Sequence, residues 1–316
     1  MPALDGLLVP VTASDYAAEV NWLTLGLVLV TGAILALVFG LMLVFCVRYR
    51  RGSTAERGNL IRKSWTVEVG WTTATFLVFV GLFFWGGDLY LRAHQPPSDA
   101  EDITVVAKQW MWKAEHAGGQ REIDALHVPV GQPVRLVMTS QDVIHSFFVP
   151  AFRVKQDVLP GRYTQMWFTP TKAGEYHLLC AEFCGAEHAD MRGSIVAMEP
   201  ADYQRWLVAQ GAGATMAQQG GALFRQYGCS GCHGAASTVH APPLEGLYGR
   251  PVPLEDGRVV TADDRYIRDS ILLPKSEIAA GYPPIMPSFA GQIGEEDLLK
   301  LIAYIKSLGT AERPPR

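Results

Sequence analysis

Two short segments of this 316-residue chain carry cysteines and histidines at spacings that suit metal binding. The run 180–191 reads Cys-Ala-Glu-Phe-Cys-Gly-Ala-Glu-His-Ala-Asp-Met, and His145 lies upstream of it. The run 229–233 reads Cys-Ser-Gly-Cys-His. Thiolate, imidazole and thioether are ligand types of copper electron-transfer sites, and Cys-x-x-Cys-His attaches a c-type haem. The chemistry that both segments indicate is electron transfer.

The first segment contains two thiols, Cys180 and Cys184, four residues apart. A mononuclear blue-copper site needs only one cysteine, whereas two on one loop can bridge two copper ions. His145 and His188 would then each bind one copper, leaving Met191 and a backbone carbonyl as weak ligands. A structural zinc with two thiolates and two imidazoles stays open at this point, as does a disulfide. The disulfide would leave the histidines and the methionine unexplained.

The second segment predicts covalent haem at Cys229 and Cys232, with His233 bound to the iron. Met286, in the sequence Pro-Pro-Ile-Met-Pro at 283–287, is the candidate sixth ligand. A thioether opposite an imidazole raises the haem potential and favours electron transfer over oxygen binding. His240 is the alternative, but it follows His233 by only seven residues and would not easily cross the haem plane.

Two uncharged runs, 23–47 and 69–87, are long enough to cross the hydrocarbon core of a bilayer. They predict a transmembrane hairpin with spans at about 23–47 and 69–91. Residues 1–22 contain no Lys or Arg, which argues against a cleaved signal peptide. The positive-inside rule places the loop between the spans in the cytoplasm and both termini outside. The cations in that loop are Arg48, Arg50, Arg51, Arg57, Arg62 and Lys63.

The pattern after the spans changes to short apolar segments separated by Gly and Pro, which predicts a β-sandwich or barrel. Toward the end of the chain, 295–308 predicts an amphipathic helix. The domain organisation expected is an N-terminal tail and hairpin, a β domain, a short linker and a helical domain. The boundaries are 1–95, 96–205, 206–219 and 220–316. The predicted strands are 103–107, 134–139, 165–168, 176–179 and 194–198.

The composition excludes two broad classes of protein. Hydrophobic residues make up 49% of the chain, too many for a disordered protein. The formal net charge is −4, which argues against a basic nucleic-acid-binding protein. We therefore expect membrane lipid, and no nucleic acid, among the partners.

The run 180–191, together with Val-Ile-His-Ser-Phe at 143–147, resembles subunit II of haem-copper cytochrome c oxidases, and the resemblance covers residues 20–200. It implies a cupredoxin-like Greek-key β-barrel that holds the dinuclear copper centre CuA. It also implies a magnesium ion bound by the Glu182 side chain at the contact with subunit I. Residues 220–309 resemble a class I cytochrome c, an all-α domain. The implied CuA ligands are Cys180 and Cys184 as bridges, His145 and His188 as terminal ligands, and Met191 and the Glu182 carbonyl as weak ligands.

Two further residues match this family. Lys-Gln-Trp-Met-Trp at 108–112 resembles its aromatic segment near CuA, which implies that Trp110 accepts electrons; an amphipathic core strand is the alternative. Val-Glu-Val-Gly-Trp-Thr at 67–72 resembles the start of its second helix, which implies that Glu68 marks the mouth of a proton channel. A solvated charge at the membrane edge is the alternative for Glu68. Thr75 stands where the family usually has a proline.

The resemblance implies an oxidase subunit with a fused cytochrome c domain. Electrons would pass from haem c to CuA and on to subunit I, where oxygen is reduced and protons are translocated. The implied partners are subunits I and III and a cytochrome c or another periplasmic donor. The implied location is the inner membrane of a bacterium, with both redox domains on the periplasmic side. A nitric oxide reductase subunit and a membrane-tethered electron carrier are alternatives, and a quinol oxidase subunit is excluded if the copper ligands function.

Other candidate residues receive no role from the sequence. His94, His116 and His127 have no partner nearby in sequence and are interpreted as surface or loop residues. Asp142 borders the predicted copper site without an assigned contact.

Overall fold

The computed structural model describes residues 9–56, 65–211, 213–234 and 237–309. Part of the N-terminal tail and three of the loop cations, Arg57, Arg62 and Lys63, lie outside the described residues. The prediction of orientation therefore rests on the sequence at those positions.

Two long helices open the structure, α1 (Asp15–Arg48) and α2 (Trp65–Ala93). Both are long and apolar enough to cross a membrane, and their most apolar windows have mean hydropathies of 2.8 and 1.7. Each predicted span lies inside one of these helices. The helices continue past the uncharged stretches because a helix forms its backbone hydrogen bonds internally, whether or not it lies in the hydrocarbon core.

The helix pair is attached to the β domain at one end. Ser14 caps α1 by accepting a hydrogen bond from the Ala17 N–H at 3.0 Å, and its hydroxyl donates to the Phe152 carbonyl at 3.0 Å. At the end of α2, the Arg92 carbonyl accepts a hydrogen bond from the indole N–H of Trp167 at 3.2 Å. These contacts fix the hairpin against the strands that follow.

Ten strands form the β domain, in two five-stranded sheets ordered β3-β2-β1-β5-β8 and β4-β10-β9-β6-β7. The sheets face each other as a cupredoxin-like sandwich, with parallel pairs β1/β5 and β4/β10 among otherwise antiparallel pairs. Its core is mainly apolar and includes Trp112, Leu136 and Phe147. The strands are β1 (Glu101–Lys108), β2 (Met111–His116), β3 (Arg121–Ile123), β4 (Ala125–Pro129), β5 (Val134–Ser140), β6 (His145–Val149), β7 (Val154–Val158), β8 (Thr164–Phe168), β9 (Gly174–Cys180) and β10 (Arg192–Met198).

All five predicted strands lie within observed strands, and β2, β3, β4, β6 and β7 were not predicted. β2 shows why, because Lys113 and Glu115 face outward between buried residues and lower its average hydrophobicity. Strands of this kind are defined by their pairing with neighbours more than by composition.

A short helix, α3 (Pro200–Ala209), follows the last strand and packs over a buried polar cluster of the β domain. Glu122 accepts hydrogen bonds from His116 at 2.8 Å and from His127 at 2.5 Å, and Trp206 of α3 stacks on His127. The surface or loop interpretation was therefore wrong for His116, which is 1% exposed in β2, and for His127, which lies in β4. Burial alone would raise the pKa of Glu122, but these hydrogen bonds outweigh it and lower the pKa to about 2.

The C-terminal domain is mainly helical, with a short two-stranded ribbon that the sequence did not predict. Helix α4 starts at Met216, so the predicted linker at 206–219 overlaps the end of α3 and the start of α4. Its last helix buries the predicted apolar face, including Leu298 and Ile302. The elements are α4 (Met216–Gln226), α5 (Ser230–His233), β11 (Pro251–Pro253), β12 (Val259–Thr261), α6 (Asp264–Leu272) and α7 (Glu295–Ser307).

Candidate metal centres

The run 180–191 forms a loop between β9 and β10, here called the thiol loop. Cys180 ends β9, and its N–H donates a hydrogen bond to the Met191 carbonyl at 3.2 Å, which ties the two ends of the loop together. β6 pairs with β9 so that Phe147 stands opposite Cys180. His145, two residues earlier on β6, points to the same face as Phe147. Strand register therefore brings this distant histidine to the thiol.

Each thiol of the loop has its own imidazole. The Sγ atoms of Cys180 and Cys184 lie 3.8 Å apart. The Nδ1 atom of His145 lies 4.0 Å from Cys180 Sγ, and the Nδ1 atom of His188 lies 3.4 Å from Cys184 Sγ. The donor set thus consists of two thiol–imidazole pairs joined at the sulfur atoms.

The two predicted weak ligands are beside these pairs. The sulfur of Met191 lies 3.7 Å from Cys184 Sγ, and the carbonyl oxygen of Glu182 lies 3.2 Å from Cys180 Sγ. Met191 is buried, whereas Glu182 is exposed. The structure therefore brings together all six residues predicted for CuA.

The geometry distinguishes between a dinuclear copper centre, a structural zinc site and a disulfide. All five cysteines, Cys180 and Cys184 among them, are free. Among the described residues, ligand atoms of His145, Cys180 and Cys184 lie within 4.8 Å of one another, and His188 is not in this group. The four ligands of a tetrahedral zinc would converge on one point. A set that divides into two thiol–imidazole pairs fits two copper ions better.

The electrostatics of the thiols also fit bound cations. Burial opposes ionisation of Cys180, but the His145 imidazole and nearby backbone N–H groups outweigh it and lower the pKa of its thiol to about 6. Burial and the charge of Cys180 raise the pKa of Cys184 to about 12. The protein alone thus favours the thiolate at Cys180 over that at Cys184, and positive metal ions supply the charge that makes both sulfurs thiolates.

Asp142 orients the His145 imidazole. Its carboxylate accepts a hydrogen bond from His145 Nε2 at 2.9 Å and another from the Gln109 N–H at 2.7 Å. Burial opposes ionisation of Asp142, yet these hydrogen bonds keep its pKa below the ordinary value. The contact turns Nδ1 of His145 toward Cys180, as carboxylates beside metal-binding histidines commonly do. The sequence signal was a carboxylate three residues before a candidate ligand.

The aromatic segment at 108–112 contacts the site in two ways. Trp110 is half-buried, and a Cβ atom added at Gly185 of the thiol loop would lie 3.2 Å from its ring. Trp112 is 2% exposed, and its ring centroid lies 6.1 Å from that of His145. Trp110 therefore lies against the thiol loop, and Trp112 belongs to the core behind His145.

Glu68 is far from this centre. It lies in the exposed first turn of α2, a helix of 29 residues. A helix of that length spans about 40 Å, and the β domain is attached at its other end through Trp167 and Arg92. The structure therefore separates the predicted proton-channel residue from the thiol loop.

The second motif lines an apolar cavity of about 250 Å³ in the C-terminal domain. Cys229, Cys232 and His233 all contribute to its wall. The Nδ1 atom of His233 lies 3.0 Å from the Pro242 carbonyl oxygen. A hydrogen bond to that carbonyl makes Nδ1 the donor and leaves Nε2 to bind iron. An apolar cavity beside two free thiols and an oriented imidazole fits a covalently bound haem.

Both candidates for the sixth haem ligand line the same cavity. Met286 is half-buried and packs against the apolar core of the domain. His240 is exposed, its Nε2 lies 3.2 Å from the Gly281 carbonyl oxygen, and its ring stacks on Tyr282 with centroids 4.8 Å apart. These contacts occupy the imidazole and favour Met286.

Two family models match the chain. The model described as "Cytochrome C oxidase subunit II, periplasmic domain" matches residues 102–198, and the model described as "Cytochrome c" matches residues 217–309. Cytochrome c oxidase subunit 2 of Alkalihalophilus pseudofirmus is 28% identical over 90% of this chain and 86% of its own length. The chain belongs to the cytochrome c oxidase subunit 2 family.

Other proteins are similar to parts of this chain. The alternative cytochrome c oxidase subunit 2 of Bradyrhizobium diazoefficiens is 29% identical over 57% of this chain and 76% of its own length. A crystal structure of the periplasmic domain of subunit II of cytochrome oxidase (CoxB) of Bradyrhizobium japonicum is also similar. It is 30% identical, with a TM-score of 0.36, and covers 37% of this chain and 96% of that chain.

Membership in the subunit 2 family accounts for both motifs. The subunit II match covers His145 and the thiol loop, and the cytochrome c match covers the residues that line the apolar cavity. The chain is thus a membrane-anchored subunit of an oxidoreductase, with a periplasmic-type copper domain and a haem-binding domain.

Proposed function

We propose that this chain is the subunit through which electrons enter a haem-copper cytochrome c oxidase. Transfer would run from haem c to CuA and on to subunit I, which reduces oxygen to water with proton translocation. The observation that supports this proposal most strongly is the division of the thiol loop into two thiol–imidazole pairs. The same chain also has a cavity lined by the haem motif, which supports the preceding step, electron transfer from haem c to CuA.

The residues of the chain hold each group and restrict what it can do. When bound, haem and the copper pair supply one-electron oxidation and reduction. His233 and Met286 would ligate the haem iron, and Cys180, Cys184, His145 and His188 would bind copper together with the two weak ligands. Ligation by side chains of the chain itself would favour electron transfer over oxygen binding. Asp142 and the paired strands hold the ligands in place, which keeps reorganisation between redox states small.

Three further roles belong to the same proposal. Trp110, packed on Gly185 of the thiol loop, would accept electrons from an external donor. The exposed Glu182 side chain would bind magnesium at the contact with subunit I, while its carbonyl binds copper. Glu68, exposed in the first turn of α2, would lie at the mouth of a proton channel.

The proposed location is the inner membrane of a bacterium. The cations at the end of α1 and just after it, among them Arg48, Arg50 and Arg51, support a cytoplasmic loop, which would put both redox domains in the periplasm. Subunits I and III would contact the two apolar helices together with lipid. A periplasmic cytochrome c or a similar protein would donate electrons.

The test is to isolate the native complex from membranes through a tag on this chain. Consumption of oxygen and of nitric oxide would then be measured with reduced cytochrome c as donor. We expect rapid oxygen uptake and a large copurifying subunit. Nitric oxide turnover with little oxygen uptake would replace the proposed reaction with that of a nitric oxide reductase. Isolation of this chain alone, inactive with both gases, would instead support a tethered electron carrier.

A further inference from the structure

The outer face of one sheet of the β domain is covered by the C-terminal domain. Along β1, Ile103 and Val105 point into the sandwich core, so Val106 points outward. Val106 is nevertheless only 5% exposed. It packs with Met216 of α4 and Leu299 of α7 in a small apolar cluster. A valine on the outer face of this sheet is thus buried by a different domain.

Tyr163, just before β8, lies at the centre of this contact. It packs against the apolar cluster around Val106 and also against the core of the C-terminal domain. Its hydroxyl is buried beside Arg268 of α6. Arg268 in turn pairs with Glu295 of α7 at 2.7 Å. A partly buried aromatic ring that packs against both domains is typical of an interface hot spot.

Polar contacts lie on both sides of the apolar centre. Glu296 of α7 accepts hydrogen bonds from the Lys113 ammonium at 2.7 Å and from the Gln141 amide at 2.9 Å. On the other side, Gln219 of α4 accepts a hydrogen bond from Arg121 at 2.8 Å. An apolar centre with a polar rim is the usual anatomy of a specific protein interface.

Helix α7 connects this contact to both metal sites. Its residues Leu301 and Ile305 line the haem cavity, whereas Glu296 faces the β domain on the opposite side of the helix. Gln141, which contacts Glu296, directly precedes Asp142, the residue that orients His145. Glu296 therefore lies on a short series of contacts between the haem cavity and the thiol loop.

We propose that the outer face of the sheet β3-β2-β1-β5-β8 is a docking surface for the chain's own C-terminal domain, anchored by Tyr163 and oriented by the Lys113–Glu296 pair. The domain is then held in one orientation instead of moving freely on the connection at 210–215. All contacts join protein groups, so the inference does not depend on the electron route proposed above.

The experiment measures how fast elastase cleaves the Gly- and Ala-rich connection at 210–215 in the full haem-loaded chain in detergent. This connection has only six residues and leads directly into α4, whose Met216 and Gln219 are held at the contact, so a protease that binds it in an extended form must first displace α4 from the sheet. When undocking is fast relative to cleavage, the rate follows the undocked population. We expect Tyr163→Ala to raise the rate about 30-fold, the effect of losing a hot spot. Lys113→Glu or Glu296→Lys should raise it about three- to tenfold.

Matched variants distinguish a loss of docking from a general loss of folding stability. Tyr163→Phe keeps the ring that fills the contact, so it should retain most of the protection against cleavage. The double variant Lys113→Glu/Glu296→Lys restores the pair with reversed charges and should return most of the protection. Lys155→Glu makes the same charge change outside the interface and should have no effect. Wild-type cleavage of Tyr163→Ala and both single charge variants would overturn the docking surface. A double variant as fast as its parents would overturn the role of the Lys113–Glu296 pair.

Discussion

Gly220 lies where α4 crosses α7, and its replacement by alanine should destabilise the C-terminal domain strongly. A Cβ atom at this position would stand 1.9 Å from the Lys300 carbonyl oxygen and 2.8 Å from the Tyr304 Cβ. Carbon and oxygen atoms not bonded to each other normally approach to about 3.3 Å. The helices would have to separate by more than about 1 Å, because the obstacle is backbone and cannot rotate away. Phe224 and Leu301 line the haem cavity from these two helices, so the cavity would widen as well.

The size of the effect follows from two opposing terms. Alanine favours a helix over glycine by about 1 kcal/mol, and overpacking against a rigid neighbour costs about 3 kcal/mol or more. The net loss of about 2 kcal/mol should lower the unfolding temperature of a domain of this size by about 10 °C. Thermal unfolding of the full chain, followed at the haem Soret band, reports this domain.

Gly221→Ala is the matched control for this prediction. It makes the same change one residue later in α4, but its Cβ would lie 3.1 Å from a ring carbon of Tyr304. That side chain can shift by a few tenths of an ångström, so the helix-propensity gain should keep this variant within about 1 kcal/mol of wild type. Equal unfolding temperatures for the Gly220 and Gly221 variants would refute the reasoning from the helix crossing.

Three further predictions concern the metal sites and the buried polar cluster. Cys184→Ser should abolish the mixed-valence copper spectrum and leave the haem c absorbance intact; a full copper spectrum would contradict the ligand assignment. Met286→Ala should keep covalent haem but open its sixth position in optical and magnetic spectra, whereas unchanged axial ligation would indicate His240. The Glu122 carboxylate, with its pKa lowered to about 2, should contribute about 3 kcal/mol of folding stability above pH 4.5, lost as the pH falls toward 2. Glu122→Gln should therefore flatten the acid dependence of chemical unfolding, and the exposed control Glu175→Gln should not.

Much of the metal chemistry could be predicted from the sequence because the ligands are close together in the chain. Cys180, Cys184, His188 and Met191 belong to one loop, and their spacing limits where each side chain can reach. Cys229, Cys232 and His233 likewise lie within five residues of chain, so their spacing alone indicates the haem motif. The two apolar helices were also predictable, because crossing a bilayer requires a long uncharged run.

Long-range pairing was harder to predict. Five strands were missed because they are short, contain polar residues or include residues of the motifs, and their hydrogen-bond partners lie on other strands. They are β2, β3, β4, β6 and β7. The cluster of His116, Glu122 and His127 showed no local signal either, since these residues become partners only when β2, β3 and β4 meet beneath α3.

The two motifs, the two apolar helices and the general order of the domains can be read from the sequence. The contact between His145 and Cys180, the orientation of the imidazole by Asp142 and the packing of Tyr163 against the C-terminal domain depend on the tertiary structure. The first set depends on chemistry within a few residues of chain. The second depends on strand register and on the packing of separate domains, where one side chain's role is set by residues that lie far away along the chain.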